Sequence, residues 1–199
     1  MQLDIPSRSF AAFIYDCDGT LVDSMPLHYR AWCHALEVHG APWPFTEDFF
    51  YTQAGIAEPD TVRRLNEVHG TGIDPEGVAR TKLDTFFDLL QDLQPVPPVC
   101  GHAMEHRGRV PLAVVSGSEE RLVRHCLQRT GMLDWFETIV TPVDVRRGKP
   151  APDMFLLAAE RLGVDPAECL VFEDGQSGID GASAAGMSTV FVPSRHMAR

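Results

Sequence analysis

The chain has 199 residues, of which 44% are hydrophobic and 23% are charged, and its formal net charge is -11. A chain of this length and composition buries a substantial core and has the size of one domain or of one domain with an insert, which excludes a disordered protein. Because acidic residues dominate and Lys and Arg form no cluster, we expect no binding to nucleic acid or to anionic membranes, and a small molecule as the partner.

Short apolar runs recur along the chain and predict buried strands. Both faces of these runs are apolar, and they cover residues 11–15, 110–116, 138–140, 169–173 and 188–192. Helical patterns that each end at a glycine cover residues 119–131, 152–163 and 177–186. Strands that alternate with helices in this way predict an α/β fold, a Rossmann-like doubly wound parallel sheet with helices on both faces.

One long segment interrupts this alternation directly after the first strand. It contains no convincing strand, and its amphipathic patterns predict helices at residues 26–40, 46–55, 59–70 and 75–93. A Pro-rich stretch, "QPVPPVCG", then marks the return to the sheet. We therefore expect a core domain formed by residues 1–24 and 95–199, and a helical cap domain formed by residues 25–94.

Polar side chains stand where four of the predicted strands end. Ligands of parallel α/β sheets bind beyond the carboxyl ends of the strands, so these residues form one candidate set. Its members, in chain order, are Asp16, Asp18, Ser116, Gly117, Lys149, Glu173 and Asp174. Four crowded carboxylates require a cation, and oxygen ligands alone suit Mg2+. Mg2+ in turn suits a phosphorylated substrate, whose phosphoryl group Lys149, the Ser116 hydroxyl and the amides of the following turn would bind.

The spacing of Asp16 and Asp18 suggests two separate roles. Alternate residues of an extended segment point the same way, so both carboxylates would face the site while Cys17 faces away. Asp16 is suited to attack phosphorus and form an aspartyl-phosphate, and Asp18 to protonate the leaving oxygen and later deprotonate the attacking water. Taken alone, the pair is equally compatible with a simple turn in which Asp23 caps the next helix.

Four stretches of the chain resemble the motifs of the haloacid dehalogenase-like (HAD) phosphohydrolases. They are "DCDGTLVDS", "VVSGS", "GKPAPD" and "VFEDGQSGIDGASAAG", and the chain is most similar to the β-phosphoglucomutase and sugar-phosphate phosphatase branch. The resemblance implies that Asp16 is the nucleophile and Asp18 the acid/base. It implies that Mg2+ is held by Asp16, the Asp18 carbonyl, Asp174 and, directly or through water, Glu173. Since the dehalogenases of the family lack the second aspartate, it also implies phosphate chemistry.

The same resemblance assigns the phosphoryl ligands and reveals two departures. It implies that Ser116 and Lys149 bind the phosphoryl group. Gly175 stands where the family often has Ser, and Gly181 replaces a common Ala in the following helix. Neither departure removes a carboxylate from the predicted metal site.

Residues of the predicted cap are further candidates for substrate contact. By resemblance, His28 helps to arrange the acid/base, Gly55 lies in the specificity loop, and Lys82 aligns with a basic residue that contacts substrate. Arg63 or Arg64 would reach a substrate phosphate or hydroxyl. For Arg63, Arg64 and Lys82, a solvated helix face is an equally good interpretation.

The main hypothesis is a Mg2+-dependent phosphatase that hydrolyses a small sugar phosphate, a hexose phosphate such as fructose 1-phosphate, through an aspartyl-phosphate. One alternative is a β-phosphoglucomutase-type phosphosugar mutase, which returns the phosphoryl group to another hydroxyl of the sugar. A second alternative is a non-enzymatic phospho-aspartate switch like a receiver domain, which the place of Asp16 on the first strand disfavours.

Other motifs are better explained without a function. His102 and His106 in "HAMEH" lack the glutamate position and the third ligand of a zinc helix. A cysteine-phosphatase loop at Cys126 would need Arg six residues later, where the chain has Met132. The five scattered cysteines favour a reducing compartment. Because we find neither a signal-like start nor an apolar run that could span a bilayer, we expect a cytoplasmic protein, and we take a monomer as the default state.

Overall fold

The computed structural model describes residues 3–53 and 56–193. Within them one parallel sheet contains the strands β1 (Ala12–Tyr15), β2 (Leu112–Val115), β3 (Thr138–Val140), β4 (Cys169–Glu173) and β5 (Ser188–Phe191). The strand order is β3-β2-β1-β4-β5, so the chain crosses from one side of β1 to the other between β3 and β4. The predicted α/β fold with a parallel sheet and flanking helices is confirmed.

Eight α-helices lie in the described part of the chain. They are α1 (Met25–Val38), α2 (Glu47–Thr52), α3 (Glu58–His69), α4 (Pro75–Leu89), α5 (Pro97–His106), α6 (Glu120–Arg129), α7 (Asp153–Leu162) and α8 (Gln176–Ala184). The first four coincide with the four amphipathic patterns of the insert, and the last three coincide with the helices predicted between the strands.

The three inner strands are buried along their whole length. Every residue of β1, β2 and β4 is buried, as continuous apolar runs predict for strands with both faces covered. The outer strands β3 and β5 are only partly buried, and Phe191 at the end of β5 is 54% exposed. Burial therefore increases toward β1, the strand that carries the first pair of candidate carboxylates.

Contacts divide the chain into two compact units. One contains the residues up to Asp23 and from Gln94 onward, and the other is Ser24–Leu93. These limits lie one residue from the predicted domain limits, and the function of the second unit as a cap remains a prediction. The core of the sheet unit joins Ile14 and Val171 of the strands to Phe155 of α7 and Ala182 of α8.

The helical unit has an apolar core of its own. Trp32 of α1, Phe50 of α2, Val62 of α3 and Val78 of α4 belong to one buried cluster. Helix α4 begins at an N-cap, since the Asp74 carboxylate accepts a hydrogen bond from the amide of Glu76 at 3.1 Å. An amphipathic helix needs such a partner surface to be stable, and here the four helices supply it to one another.

Helix α5 was not predicted as a helix. Its sequence begins with Pro97 and Pro98, which resemble a linker, but proline is well tolerated in the first turn, where the amide has no helical partner. The helix buries Val99 and Ala103. Among residues 3–53 and 56–193, no helix is long and apolar enough to cross a membrane.

Candidate active site

Asp16 and Asp18 directly follow the central strand β1. The amide of Asp16 donates to the Phe172 carbonyl at 2.9 Å, which continues the pairing of β1 with β4 by one residue. Between the two aspartates, the Cys17 side chain is fully buried, and the neighbouring Cys126 thiol together with burial raises the pKa of Cys17. The chain then turns at Gly19, which has a φ of 83°. Asp16 and Asp18 thus lie at the carboxyl edge of the sheet, and Cys17 packs into the core.

Lys149 joins the first and the last predicted motifs. Its Nζ lies 2.7 Å from Asp16 Oδ1 and 2.6 Å from Glu173 Oε2. Burial alone would lower the pKa of Lys149, but the attraction of Asp16 and Glu173 is stronger, so the pKa lies above its ordinary value. The ammonium is therefore a permanent cation between two buried carboxylates.

Three carboxylates converge beside Lys149. One oxygen from each of Asp16, Glu173 and Asp174 lies within 4.8 Å of the others. Burial, followed by repulsion from Glu173, raises the pKa of Asp16 and raises the pKa of Asp174 to about 7. One lysine does not balance this crowding, and a hard divalent cation with oxygen ligands would. The donor set therefore fits Mg2+.

Two glycines make room for these carboxylates. A Cβ at Gly178 would lie 2.6 Å from Glu173 Cγ, and a Cβ at Gly19 would lie 2.7 Å from Asp174 Cγ, distances at which one group must move. The Thr20 hydroxyl also donates to Asp174 Oδ1 at 3.3 Å. The sequence did not single out Gly178 or Thr20 as site residues, because the spacing of residues along the chain does not reveal which of them approach the Glu173 and Asp174 carboxylates.

The two departures from the family motif have different surroundings. The amide of Gly175 donates to Glu173 Oε1 at 3.1 Å, a bond that any residue other than proline could make. A Cβ at Gly181 would lie 2.9 Å from the Phe155 ring and 3.1 Å from the Ala151 carbonyl. Glycine at position 181 therefore allows α8 to approach α7 closely.

The turn after β2 brings a hydroxyl to the same edge of the sheet. The Ser116 amide donates to the Val140 carbonyl at 3.0 Å, and its side chain is buried. Gly117 follows and is exposed, and the Ser118 amide donates to Ser116 Oγ at 3.1 Å. The Ser118 hydroxyl donates to Asp18 Oδ2 at 2.7 Å. The second motif is thus linked to the first, and the bond from Ser118 was not predicted.

Two of the cap candidates lie close together in the helical unit. His28 is buried and stacks on the Phe86 ring, with 3.9 Å between the centroids. Lys82 is buried as well, and its Nζ donates to Glu58 Oε1 at 2.8 Å. The attraction of Lys82 outweighs the effect of burial and lowers the pKa of Glu58. Glu58 was not predicted, because nothing in the sequence pairs it with a residue on another helix.

The remaining cap candidates are Arg63, Arg64 and Gly55. Arg63 is half exposed and forms ion pairs with Asp60 at 2.6 Å and with Glu76 at 2.7 Å, which agrees with the interpretation as a solvated helix face. Arg64 lines a pocket of the helical unit together with Phe49 and Leu65. Gly55 lies outside the described residues.

The two histidines of "HAMEH" pack against the sheet. His102 Nδ1 lies 2.8 Å from the hydroxyl of the buried Tyr15, and His106 Nδ1 lies 2.8 Å from the His102 carbonyl. Both rings contact the edge of Phe13. Burial, and then the neighbouring His106, lowers the pKa of His102 to about 4. These contacts explain the pair as packing residues, in agreement with the interpretation from sequence.

Comparison with known proteins identifies the family to which these motifs belong. Residues 10–186 match the sequence model of the haloacid dehalogenase-like hydrolases, a span that contains all four predicted motifs. The chain belongs to this family. HAD hydrolases generally use Mg2+, and the oxygen cluster of Asp16, Glu173 and Asp174 fits that ion.

Individual relatives of this HAD hydrolase confirm the predicted branch. It is 35% identical over 188 residues to the fructose-1-phosphate phosphatase YqaB of Escherichia coli (strain K12), covering 92% of this chain and 96% of the relative. It is 30% identical over 188 residues to the β-phosphoglucomutase of Bacillus subtilis (strain 168), covering 91% and 82%. A haloacid dehalogenase-like protein from Agrobacterium tumefaciens matches its fold with a TM-score of 0.76 and 28% identity, covering 91% and 82%. Family and relatives support a phosphoric monoester hydrolase and leave the receiver-like switch without support.

Proposed function

We propose that this HAD hydrolase is a Mg2+-dependent phosphatase of small sugar phosphates that works through an aspartyl-phosphate on Asp16. The observation that carries the proposal is the position of Lys149, whose Nζ contacts both Asp16 and Glu173 at one edge of the sheet. A cation between the candidate nucleophile and a candidate metal ligand is placed to attract a phosphoryl group to the attacking oxygen.

In the first half of the reaction, the phosphoryl group is transferred from the sugar to Asp16. Lys149 and the Ser116 hydroxyl hold oxygens of the phosphoryl group, and the Asp16 carboxylate attacks phosphorus in line. As the bond from Asp16 to phosphorus forms, the ester P–O bond breaks, and Asp18 gives its proton to the leaving oxygen. Asp16, the Asp18 carbonyl, Glu173 and Asp174 would hold Mg2+, which would supply positive charge that offsets the carboxylates and the phosphoryl group.

The second half of the reaction removes the phosphoryl group from the enzyme. Asp18, now a carboxylate, accepts a proton from a water molecule, and the water oxygen attacks phosphorus. The bond between phosphorus and Asp16 breaks, inorganic phosphate leaves, and Asp18 is again protonated. Each residue returns to its initial state, so the cycle is balanced.

A hexose phosphate such as fructose 1-phosphate is our proposed substrate. Support comes from the Escherichia coli relative, whose name specifies fructose-1-phosphate phosphatase and whose sequence aligns over 92% of this chain. The net charge of -11 also favours a small ligand over a polyanion. Which sugar is preferred is a question for a substrate screen.

A phosphosugar mutase is the second candidate, because the Bacillus subtilis β-phosphoglucomutase is 30% identical to this chain. The higher identity to the fructose-1-phosphate phosphatase, 35% against 30%, favours the phosphatase. Lys82, which the family resemblance assigns to substrate contact, is already paired with Glu58 at 2.8 Å. This ion pair does not separate the two candidates, because Lys149 is likewise paired with carboxylates and is assigned to a phosphoryl group.

The test is a phosphate-release screen with Mg2+ over fructose 1-phosphate, β-glucose 1-phosphate and 6-phosphogluconate. We expect release from at least one ester by the wild type, loss of release in Asp16→Asn, and normal release in the exposed control Asp134→Asn. Full activity of Asp16→Asn would contradict the proposal. Rapid formation of glucose 6-phosphate from β-glucose 1-phosphate, with a bisphosphate primer and little free phosphate, would establish the mutase instead.

We also propose that the enzyme acts as a monomer in a reducing compartment such as the cytoplasm. All five cysteines are free thiols, which is the usual state in such a compartment. Sedimentation at several protein concentrations tests the first part of this proposal. A mass of two chains at micromolar concentration would contradict it.

A further inference from the structure

One hydrogen bond links the turns that follow β1 and β2. Ser118 Oγ donates to Asp18 Oδ2 at 2.7 Å, a length typical of a hydroxyl that donates to a carboxylate. The backbone of Ser118 is itself fixed, because its amide donates to Ser116 Oγ, and the Ser116 amide donates to the Val140 carbonyl. The Asp18 carboxylate is therefore connected through one hydroxyl to the ladder between β2 and β3.

One contact of each aspartate in the first motif bears on the role proposed for it. Asp16 contacts the ammonium of Lys149, and a cation favours the ionised carboxylate. Asp18 contacts the neutral hydroxyl of Ser118, which can hydrogen bond with a carboxylate or with a carboxylic acid. A partner that tolerates both forms suits a residue that gains and loses a proton in every cycle.

We propose that Ser118 is a positioning residue that orients Asp18 for proton transfer to the leaving oxygen. The inference rests on the proposed phosphatase function. Because Ser118 donates to Oδ2, the acid proton of Asp18 is carried by the other oxygen, Oδ1. In the first step the O–H bond at Oδ1 breaks and an O–H bond forms on the ester oxygen. The ester P–O bond breaks at the same time, and Asp18 is left as a carboxylate whose Oδ2 still accepts from Ser118.

The contribution of Ser118 must depend on how much the leaving group needs a proton. A sugar alkoxide is a strong base and does not leave without protonation, whereas p-nitrophenolate delocalises its charge and leaves unprotonated. Removal of the Ser118 hydroxyl should therefore slow the hydrolysis of a hexose phosphate and spare that of p-nitrophenyl phosphate. Both esters give the same phosphorylated Asp16, so the first turnover is the step to compare.

The experiment measures first-turnover release of each alcohol by the wild type, Ser118→Ala and Ser118→Thr with Mg2+. We expect Ser118→Ala to lose ~10- to 100-fold on the hexose phosphate and less than about threefold on p-nitrophenyl phosphate, since general acid catalysis contributes about 10²- to 10⁴-fold. Ser118→Thr keeps the hydroxyl and should restore the rate. Ser183→Ala, an exposed serine of α8, is the matched control and should behave as the wild type.

A double-mutant cycle separates positioning from structural damage. If Ser118 acts through Asp18, the rate on the hexose phosphate in the Asp18→Asn background should not fall further when Ser118→Ala is added. Lys149→Met, which removes a phosphoryl ligand and leaves the bond from Ser118 to Asp18 in place, should lower the rate on both esters alike. Equal losses on both esters in Ser118→Ala, no loss on the hexose phosphate, or additive losses in the cycle would overturn the role of Ser118. Failure of the wild type to release phosphate from any ester would overturn the proposed function itself.

Discussion

Gly178→Ala tests whether the space between α8 and Glu173 sets the geometry of the active site. A Cβ at position 178 would lie 2.6 Å from Glu173 Cγ and would overlap the carboxyl group, whereas ordinary contacts begin at 3.4 Å. The Glu173 side chain must therefore move by about 1 Å, because the alternative is displacement of the helix backbone. Glu173 Oε2 lies 2.6 Å from Lys149 Nζ, so a shift of that size lengthens or breaks the ion pair.

The expected effect on activity is large and the effect on stability small. A displacement of ~1 Å in a catalytic arrangement costs about 100-fold in rate, which corresponds to about 2.7 kcal/mol of activation free energy. Alanine is favoured over glycine within a helix by up to about 1 kcal/mol, which offsets part of the steric cost to folding. We therefore expect a folded protein with about 1% of the wild-type kcat.

Gly101→Ala is the matched control, because Gly101 lies within α5 and a Cβ there would meet nothing within 4 Å. It should keep wild-type activity and raise the free energy of unfolding by about 0.5–1 kcal/mol. The assays are phosphate release under saturating substrate and Mg2+, and urea denaturation of both variants. Wild-type kcat in Gly178→Ala, or an equal loss in Gly101→Ala, would refute the steric argument.

Three further predictions concern the metal, pH and the helical unit. Chelation should abolish phosphate release, and added Mg2+ should restore it. Mg2+ at 100 times its Kd should also raise the free energy of unfolding, measured by urea denaturation, by about 2.7 kcal/mol. An unchanged free energy of unfolding would contradict a metal site in the native state. Burial, and then His106, lowers the pKa of His102 to about 4, so its contribution to stability is complete above about pH 6.5 and is lost as the pH falls toward 4. For this partly exposed ring we expect a loss of about 2 kcal/mol, measured as the difference in pH dependence between the wild type and His102→Gln; parallel pH profiles would contradict it. Glu58→Gln should destabilise by about 1–2 kcal/mol, because it removes the carboxylate that Lys82 contacts, while the exposed Glu67→Gln should change little.

The strands were predictable because a strand that is buried on both faces is a continuous apolar run in the sequence. The run ending at Tyr15 has no polar residue, and the structure places it at the centre of the sheet, where no face meets water. Helix α5 was missed because Pro97 and Pro98 occupy the first turn, where proline suits a linker and a helix start alike. Local sequence could not decide between them, since what stabilises this helix is the packing of Val99 and Ala103.

The site was predictable to the extent that it consists of strand ends. Asp16 and Glu173 lie far apart in the sequence, but parallel strands end at a common edge, so topology alone predicts that they approach one another, whereas Lys149 lies in the loop beyond β3 and was assigned by the family motif. The bond from Ser118 to Asp18 and the pairing of Lys82 with Glu58 were not predicted. Both depend on how side chains from different segments meet, and neither the spacing nor the periodicity of a sequence contains that information.

The structure gives a physical reason why two aspartates separated by one residue can perform different chemistry. Asp16 is buried, and burial and Glu173 raise its pKa, while the cation of Lys149 acts in the opposite direction and favours ionisation. Asp18 is only partly buried, and one of its carboxylate oxygens accepts a hydrogen bond from the Ser118 hydroxyl. A nucleophile must be ionised when it attacks, and an acid/base must change its protonation state twice in each cycle. Lys149 therefore suits the role proposed for Asp16, and Lys149→Met should slow the first-turnover release of alcohol from both the hexose phosphate and p-nitrophenyl phosphate, because both reactions begin with attack by Asp16.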